Sequence, residues 1–314
     1  MEKSDYKVIE STSSDGSTIY SFVDKSGDSQ LRVYDLMTGI TLTHHSAHTN
    51  RFYSYPKKGE SLIEIYHCRE GRMECSYKDG YFYLMPGDLA IGIIENCENE
   101  YIFPLNHYHG ITITINTAIA PKCFSCFLED VNVQPLKVAL RLCNGNSFFI
   151  IRSRSYIEHL FSEMYKVPCD STKGYYKIKV LELLLILSGV DPKENRLNTY
   201  TLSSSQVNLA KRAAEFISEN KDEQITVSML SKRFNVSITH LQNAFKGVFG
   251  VTVFSYLRIQ RMNAAALKLV NTDKTVMEIA GESGYDNASK FASAFREIMN
   301  ETPLEYRKTH RIIG

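Results

Sequence analysis

The chain has 314 residues, 43% of them hydrophobic, enough for about two domains with ordinary cores. Its formal net charge of +1 points to no class of partner by itself, and its longest apolar run, Val180–Leu187, falls far short of the roughly 20 residues of a membrane-spanning helix. Seven irregularly spaced cysteines, all in the first 170 residues, and a polar, acidic Met1–Ser14 in place of an apolar leader argue for free thiols and a cytoplasmic setting.

Residues 1–150 read as β structure. Turn signals recur at Asp15-Gly16, Ser26-Gly27-Asp28, Lys58-Gly59, Glu70-Gly71, Asp79-Gly80 and Pro86-Gly87-Asp88. Between them lie short runs rich in β-branched and aromatic residues, such as Leu62–His67, Met73–Tyr77, Tyr81–Met85 and Ile111–Ile115. Asp79-Gly80 between two such runs predicts a hairpin. Many short strands with glycine-rich turns predict a sandwich or barrel. Its histidines raise the question of a metal. His44, His45 and His48 cluster, and His107 and His109 have the alternate spacing that puts two side chains on one strand face, where Glu64 or Glu74 would complete a ligand set. The compact pattern of a metal-binding barrel is missing, because Gly110-Ile111-Thr112-Ile113-Thr114-Ile115 follows and the next acid is Glu129. We therefore expect no metal and no cofactor. His107 and His109 are instead candidates for hydrogen bonding to a small effector at the barrel mouth. Cys123 and Cys126 form a lone pair without the second half of a zinc site.

The period changes over 151–190. Tyr156, Ile157, Leu160, Phe161 and Met164 fit one helix; Tyr175–Leu187 fits a second, ended by Gly189 and Pro192. The second is so apolar that it either packs on the barrel with one face and on a partner chain with another, or is buried within one chain. Residues 191–205 are polar and contain three consecutive serines, the composition of a linker.

Residues 206–314 read as an all-helical domain, with seven helices over 207–310, and contain one segment twice. Val227 and Leu230 recur 49 positions later as Val276 and Ile279; Leu241, Ala244, Phe245, Val248 and Phe249 recur 50 positions later as Phe291, Ala294, Phe295, Ile298 and Met299. The second set follows the spacing of a helix with one buried face. Thr226 and Ser237 are expected N-caps, Thr275 with Glu278 and Thr302 with Glu305 expected capping boxes, and Asn235 and Gly284 expected left-handed turn residues. Charge follows the duplication: 15 Lys/Arg against 11 Asp/Glu from Asn208 onward, 21 against 24 before it. A duplicated helix–turn–helix with a local basic excess predicts a reader of double-stranded DNA.

In the first copy the face left outside the core carries Thr239, His240, Gln242, Asn243 and Lys246. Gln and Asn pair with adenine through two hydrogen bonds, and Lys meets phosphate. In the second copy it carries Ser289, Lys290, Ala292, Ser293 and Arg296, with Lys290 expected at a base and Arg296, the counterpart of Lys246, at phosphate. The intervening helix, about Thr252–Asn271, would be roughly 30 Å long, close to one DNA turn of about 34 Å. Arg258, Arg261 and Lys268 would decorate it.

The segment 226–310 resembles the DNA-binding domain of AraC/XylS-type transcription regulators through Leu230-Ser231, Ser237, Leu241, Phe245-Lys246, Gly250, Tyr256-Leu257-Arg258, Arg261-Met262, Ile279-Ala280, Gly284-Tyr285, Phe291, Phe295-Arg296 and Thr302-Pro303 to Tyr306-Arg307. It departs from that pattern at Asn300, Tyr285 and Ser293, the last of which weakens base reading by the second copy. The resemblance implies a sequence-specific promoter binder, commonly an activator and often a homodimer, with RNA polymerase as a further partner. Members often carry a cupin-like, effector-binding β-barrel ahead of this domain. Gly71-Arg72-Met73-Glu74, Pro86-Gly87-Asp88 and the stretch from Phe103 to Gly110 resemble that arrangement. The expected architecture is therefore α+β: a cupin-like sensor over 1–150, a helical dimerisation and support segment over 151–190, a linker over 191–205 and a double helix–turn–helix over 206–314. No nucleophile elbow, phosphate loop or dinucleotide fingerprint is present, so the chain does not read as an enzyme. The rival readings are a metal-dependent cupin enzyme fused to a DNA-binding tail and an effector-independent regulator controlled by a protein partner.

Overall fold

The computed structural model describes residues 7–24, 27–53, 61–77, 80–94, 100–122, 133–145, 148–167, 172–195, 201–220, 225–299 and 301–310. The chain divides into two compact units, Met1–Ser203 and Ser204–Gly314.

The first unit runs β1 (Lys7–Thr12), β2 (Thr18–Asp24), β3 (Gly27–Met37), β4 (Ile40–His48), β5 (Arg51–Tyr53), β6 (Leu62–Gly71), β7 (Met73–Tyr77), β8 (Gly80–Leu84), β9 (Leu89–Ile94), β10 (Glu100–Ile102) and β11 (Tyr108–Asn116). There follow α1 (Pro135–Cys143), β12 (Phe148–Ile151), α2 (Ser155–Tyr165), α3 (Thr172–Gly189), α4 (Pro192–Asn195) and β13 (Leu202–Ser203). Two antiparallel sheets result, one in the order β1-β2-β3-β4-β11-β6-β9-β12 and one in the order β13-β8-β7-β10-β5. Strand alternation sorts the side chains into two cores. Ile63 and Ile65 of β6, Ile111, Ile113 and Ile115 of β11, and Leu89 and Ile91 of β9 pack under α1, α2 and α3. Their neighbours Tyr66, Cys68, Tyr108 and Ala90 point the other way, where Met73, Cys75, Phe82 and Leu84 of the smaller sheet meet them. The unit is thus three layers: helices, larger sheet, smaller sheet. Among the described residues β1 and β12 stay unpaired with each other, so the larger sheet is open.

The β reading of residues 1–150 misses α1. Its signal was present: Pro135 opens the helix, and Val138, Ala139, Leu142 and Cys143 give the i, i+1, i+4, i+5 stripe that the structure buries on β9. β7 and β8 pair with Tyr77 opposite Gly80, as a hairpin requires; Asp79 itself lies outside the described residues, as do Lys58-Gly59 and the pair Cys123 and Cys126. In the Pro86-Gly87-Asp88 turn, Gly87 has φ +86° and a Cβ there would sit 2.7 Å from Glu158. Asp88 accepts from Met85 N–H at 2.9 Å and pairs with Arg152.

α3 buries Tyr176, Val180, Leu183, Leu184 and Leu187, and its opposite side leaves Ile178 and Leu185 64% and 48% exposed. Its last carbonyls are satisfied from α1: Arg141 donates to Leu187 O at 3.0 Å, Ser188 O at 2.8 Å and Val190 O at 2.9 Å. The span 191–205 contains α4, β13 and the start of the next helix; 196–200 lie outside the described residues.

Among its described residues the elements of the second unit are all helices: α5 (Ser204–Glu219), α6 (Val227–Arg233), α7 (Ile238–Phe249), α8 (Val253–Asn271), α9 (Val276–Glu282), α10 (Ala288–Met299) and α11 (Pro303–His310). The caps form where the sequence places them. Thr226 accepts from Met229 N–H and Ser237 from His240 N–H; Thr275 and Glu278 make a reciprocal box. Thr302 and Glu305 make another: Thr302 N–H donates to the Glu305 carboxylate, and Glu305 N–H to the Thr302 hydroxyl.

Candidate nucleic-acid interface

Each copy of the repeat is built by a short supporting helix, a tight turn and a longer helix. In the first, α6 ends at Phe234 and Asn235 takes the left-handed conformation, φ +51°, that reverses the chain into α7. In the second, α9 ends at Ser283 and Gly284 does the same at φ +81°. The turns differ by one residue. Ser237 caps α7 two positions after Asn235, whereas Asn287 caps the next helix three positions after Gly284, its Oδ1 accepting from Ser289 N–H at 2.7 Å. That insertion is why the repeat offset changes from 49 to 50.

The helices α7 and α10 bury matching faces. Leu241, Ala244, Phe245, Val248 and Phe249 are buried in α7; Phe291, Ala294 and Phe295 are buried in α10, with Ile298 and Met299 partly so. The opposite faces hold the residues singled out from sequence. Thr239, His240, Asn243 and Lys246 are exposed and Gln242 is half-buried beside the core; Ser289, Lys290, Ser293 and Arg296 are exposed, and Ala292 is half-buried. Lys246 and Lys290 make no ion pair among the described residues, and Arg296 lies close enough to Glu305 to help hold that carboxyl below its usual range, behind the Thr302 hydrogen bonds.

α8 ties the copies together. At about 1.5 Å per residue its 19 residues span about 28 Å. Its first half serves the first core, Tyr256 meeting the rings of Phe245 and Phe249 at 5.0 and 5.1 Å. Its second half serves the other core through Met262, Ala265, Ala266 and Leu269. A helix clamped at both ends acts as a rigid spacer. The basic residues expected to decorate it are used for this clamping. Arg258 bonds both carboxylate oxygens of Glu297 on α10, at 3.3 and 2.5 Å, and Lys268 pairs with Glu282 on α9 at 2.7 Å. Arg261 reaches Ile225 O at 3.4 Å. Arg258 is accordingly held above, and Glu282 pulled down to about 2 from, their ordinary values by these hydrogen bonds. Between α8, α10 and the start of α6 lies an open groove of about 890 Å³, lined by Thr226, Phe254, Arg261, Ser289, Lys290 and Ser293 among others. Phe254, 67% exposed at its mouth, was missed from sequence. The signal was there: an aromatic one step off the buried Val253–Leu257 register.

In the first unit, His107 precedes β11 in a turn made by Asn106 at φ +58°, so it is not on the strand with His109. His109 lines a cavity of about 410 Å³ that His107 does not line. The ligand set considered with them is not brought together. Glu64 lies buried between the sheets, where Tyr66 donates to it; Glu74 alternates with Met73 and Cys75 and so takes the other face of the smaller sheet, where Tyr83 donates to it at 2.5 Å; His109 lies beside His48 on the helix-facing side of the larger sheet.

Residues 230–309 match the family described as a helix-turn-helix domain. An uncharacterized HTH-type transcriptional regulator of Staphylococcus aureus (strain COL) is 30% identical over 128 residues, 41% of this chain and 17% of that protein. The melibiose operon regulatory protein of Escherichia coli (strain K12) is 27% identical over 126 residues, 39% of this chain and 42% of that protein. A solved probable AraC family transcriptional regulator from Rhodopseudomonas palustris is 25% identical, covers 33% of this chain and 99% of its own, and has a TM-score of 0.32. The chain thus spans only 17% of the length of the Staphylococcus relative. The likeness to the helix-turn-helix domain family is carried by residues 230–309, the stretch that holds both left-handed turns, at Asn235 and Gly284.

Proposed function

We propose that this chain is a cytoplasmic transcription regulator that binds promoter DNA with α7 and α10 in successive major grooves. The observation that carries the reading is the pair of exposed polar helix faces on either end of one clamped spacer of about 28 Å, against a DNA turn of about 34 Å. Thr239, His240, Gln242 and Asn243 read bases in the first groove, and Lys290 with Ser289 and Ser293 in the second. Lys246 and Arg296, equivalent positions near the helix ends, meet phosphate. Because Ser289, Ala292 and Ser293 are short, the second copy reads less selectively than the first.

The regulator is an activator that recruits RNA polymerase, and it works as a homodimer. The apolar side of α3 at Ile178 and Leu185 supports dimerisation through 151–190. The cupin-like first unit senses a small effector, and residues 191–205 carry the signal. Such control requires the effector to favour one arrangement of the chain over another. The rival metal enzyme loses its proposed ligands, since Glu64 and His109 lie on opposite faces of the larger sheet and Glu74 belongs to the smaller one.

The test is selection of bound sequences from a random DNA pool by the full chain, followed by salt titration of the winner. A motif in two parts with centres about ten base pairs apart is expected. A one-part motif would mean that only α7 reads bases. No enrichment, with binding driven by salt alone, would overturn sequence-specific recognition.

A further inference from the structure

The cavity of about 410 Å³ lies on the helix-facing side of the larger sheet, outside the space between the sheets. Its floor is a cross-strand row: Arg32 of β3 opposite His44 of β4, and Ser46 of β4 opposite His109 of β11. Tyr165 of α2 and Tyr176 of α3 wall it. Two guanidinium groups line it, Arg32 and Arg69, and the chain makes special provision for each.

Arg32 is oriented by Asp15, 3.4 Å away. That carboxylate is already engaged: it accepts from Ser17 N–H at 3.0 Å, the Ser17 hydroxyl at 2.6 Å and the Tyr34 hydroxyl at 2.8 Å. Asp15 therefore aims Arg32 without using up the five N–H donors of the guanidinium. Arg69 owes its place to a bulge. Pairing between β11 and β6 jumps from Gly110 opposite Cys68 to His109 opposite Glu70, which leaves Arg69 as the extra residue. Bulges re-aim side chains beside functional sites. Here the guanidinium lies over the Tyr165 ring, 4.8 Å from its centre. Gly110 at the same step admits no side chain, since a Cβ would come within 2.6 Å of His67 O.

The field of both groups reaches the floor. Burial first, then Arg32 and Arg69, push His44 down to about 4, so it is a neutral ring hydrogen-bonded to Tyr176 at 2.9 Å. Arg69 also meets Glu70 at 3.5 Å, but that pair stands in solvent, 48% and 58% exposed, where it is worth little; the lining itself holds two cations, one engaged carboxylate and neutral histidines, one positive charge to spare. Gln30, Ser46 and Thr172 add neutral polar groups to the lining, which suits hydroxyls better than a hydrocarbon tail.

We propose that this cavity binds a small hydroxylated organic anion with one charged group, its carboxylate or phosphate held between Arg32 and Arg69 and its body between Tyr165 and Tyr176. The inference rests on the reading of the first unit as an effector sensor and names the chemistry of the effector.

Calorimetric titration of the full chain with glucuronate, glucose 6-phosphate and neutral glucose tests it. Millimolar or tighter binding of at least one anion, with none of glucose, is expected; the two anions tell a carboxylate site from a phosphate site. Arg69→Gln should weaken that binding about tenfold or more, the loss of a charge-assisted hydrogen bond. Arg32→Gln should do the same, and Arg69→Gln alone decides the matter if Arg32→Gln does not fold. Binding of neither anion, equal binding of glucose, or unchanged affinity in Arg69→Gln overturns the site. The two readings fail separately. An anion that binds and is lost in Arg69→Gln, yet leaves DNA affinity unchanged, supports the site and overturns effector control.

Discussion

Replacing Lys246 with Ala should weaken binding to every DNA sequence alike and flatten its salt dependence. Lys246 is exposed, one turn from the end of α7, and makes no ion pair among the described residues. A lysine that neutralises one phosphate adds about 0.9 to the slope of log affinity against log salt. Over a fourfold rise in salt, from about 50 to about 200 mM, the unaltered chain should therefore lose about 3.5 times more affinity than the variant. Arg258→Ala is the contrast. It removes a cation from the same unit, but one whose guanidinium already bonds both oxygens of Glu297. Its slope should stay that of the unaltered chain. Fluorescence anisotropy on one labelled duplex, at several salt concentrations, measures both slopes; circular dichroism checks that both variants fold. An unchanged slope in Lys246→Ala, or a reduced one in Arg258→Ala, would refute the division of basic residues into phosphate contacts and internal clamps.

Three further outcomes are expected. Gln242→Ala should cost about 1–3 kcal/mol on the selected duplex and relax preference at one base pair, read by competition with single-base variants of the site; an unchanged preference would misplace α7. Asn235→Ala should destabilise the second unit by about 1 kcal/mol in chemical denaturation while Asn235→Gly costs less, because only the left-handed backbone at φ +51° is at stake; equal costs would point to a side-chain role instead. The first unit should lose stability in acid. Burial pushes His44, His45 and His67 from 6.5 down to about 4. The unfolded chain therefore takes up protons near pH 6.5 that the folded unit refuses until near pH 4. Stability falls through that window, by on the order of several kcal/mol in all. Melting temperatures from pH 7.5 to 4.5 measure it, and a flat profile would mean that these rings are more accessible than their burial indicates.

The duplicated unit was legible because its information is local. Caps at Thr226, Ser237, Thr275 and Thr302 satisfy N–H groups within three residues of themselves, and Asn235 and Gly284 act through their own backbone. The exposed faces of α7 and α10 follow from helical period once the buried face is known. What misled was charge. Arg258, Arg261 and Lys268 look like free cations along one helix, and only the packing of α9, α10 and the chain before α6 against α8 supplies Glu297, Ile225 O and Glu282. In the first unit, α1 escaped because its nine residues are embedded in a β-rich stretch, although its stripe was readable.

The α+β division, the strands β6, β7, β8 and β11, the two copies of the helix–turn–helix and the faces they turn outward are readable in the sequence alone. Periodicity and capping act over a few residues, and the chain carries them in plain order. Only the tertiary structure decided which strands become neighbours. Arg32, His44, Arg69, His109, Tyr165 and Tyr176 span 144 positions, and they meet because β3, β4, β11 and β6 lie side by side beneath α2 and α3. The reason is that a strand's partners are chosen by burial of whole faces, and no local signal records which distant face will supply the cover.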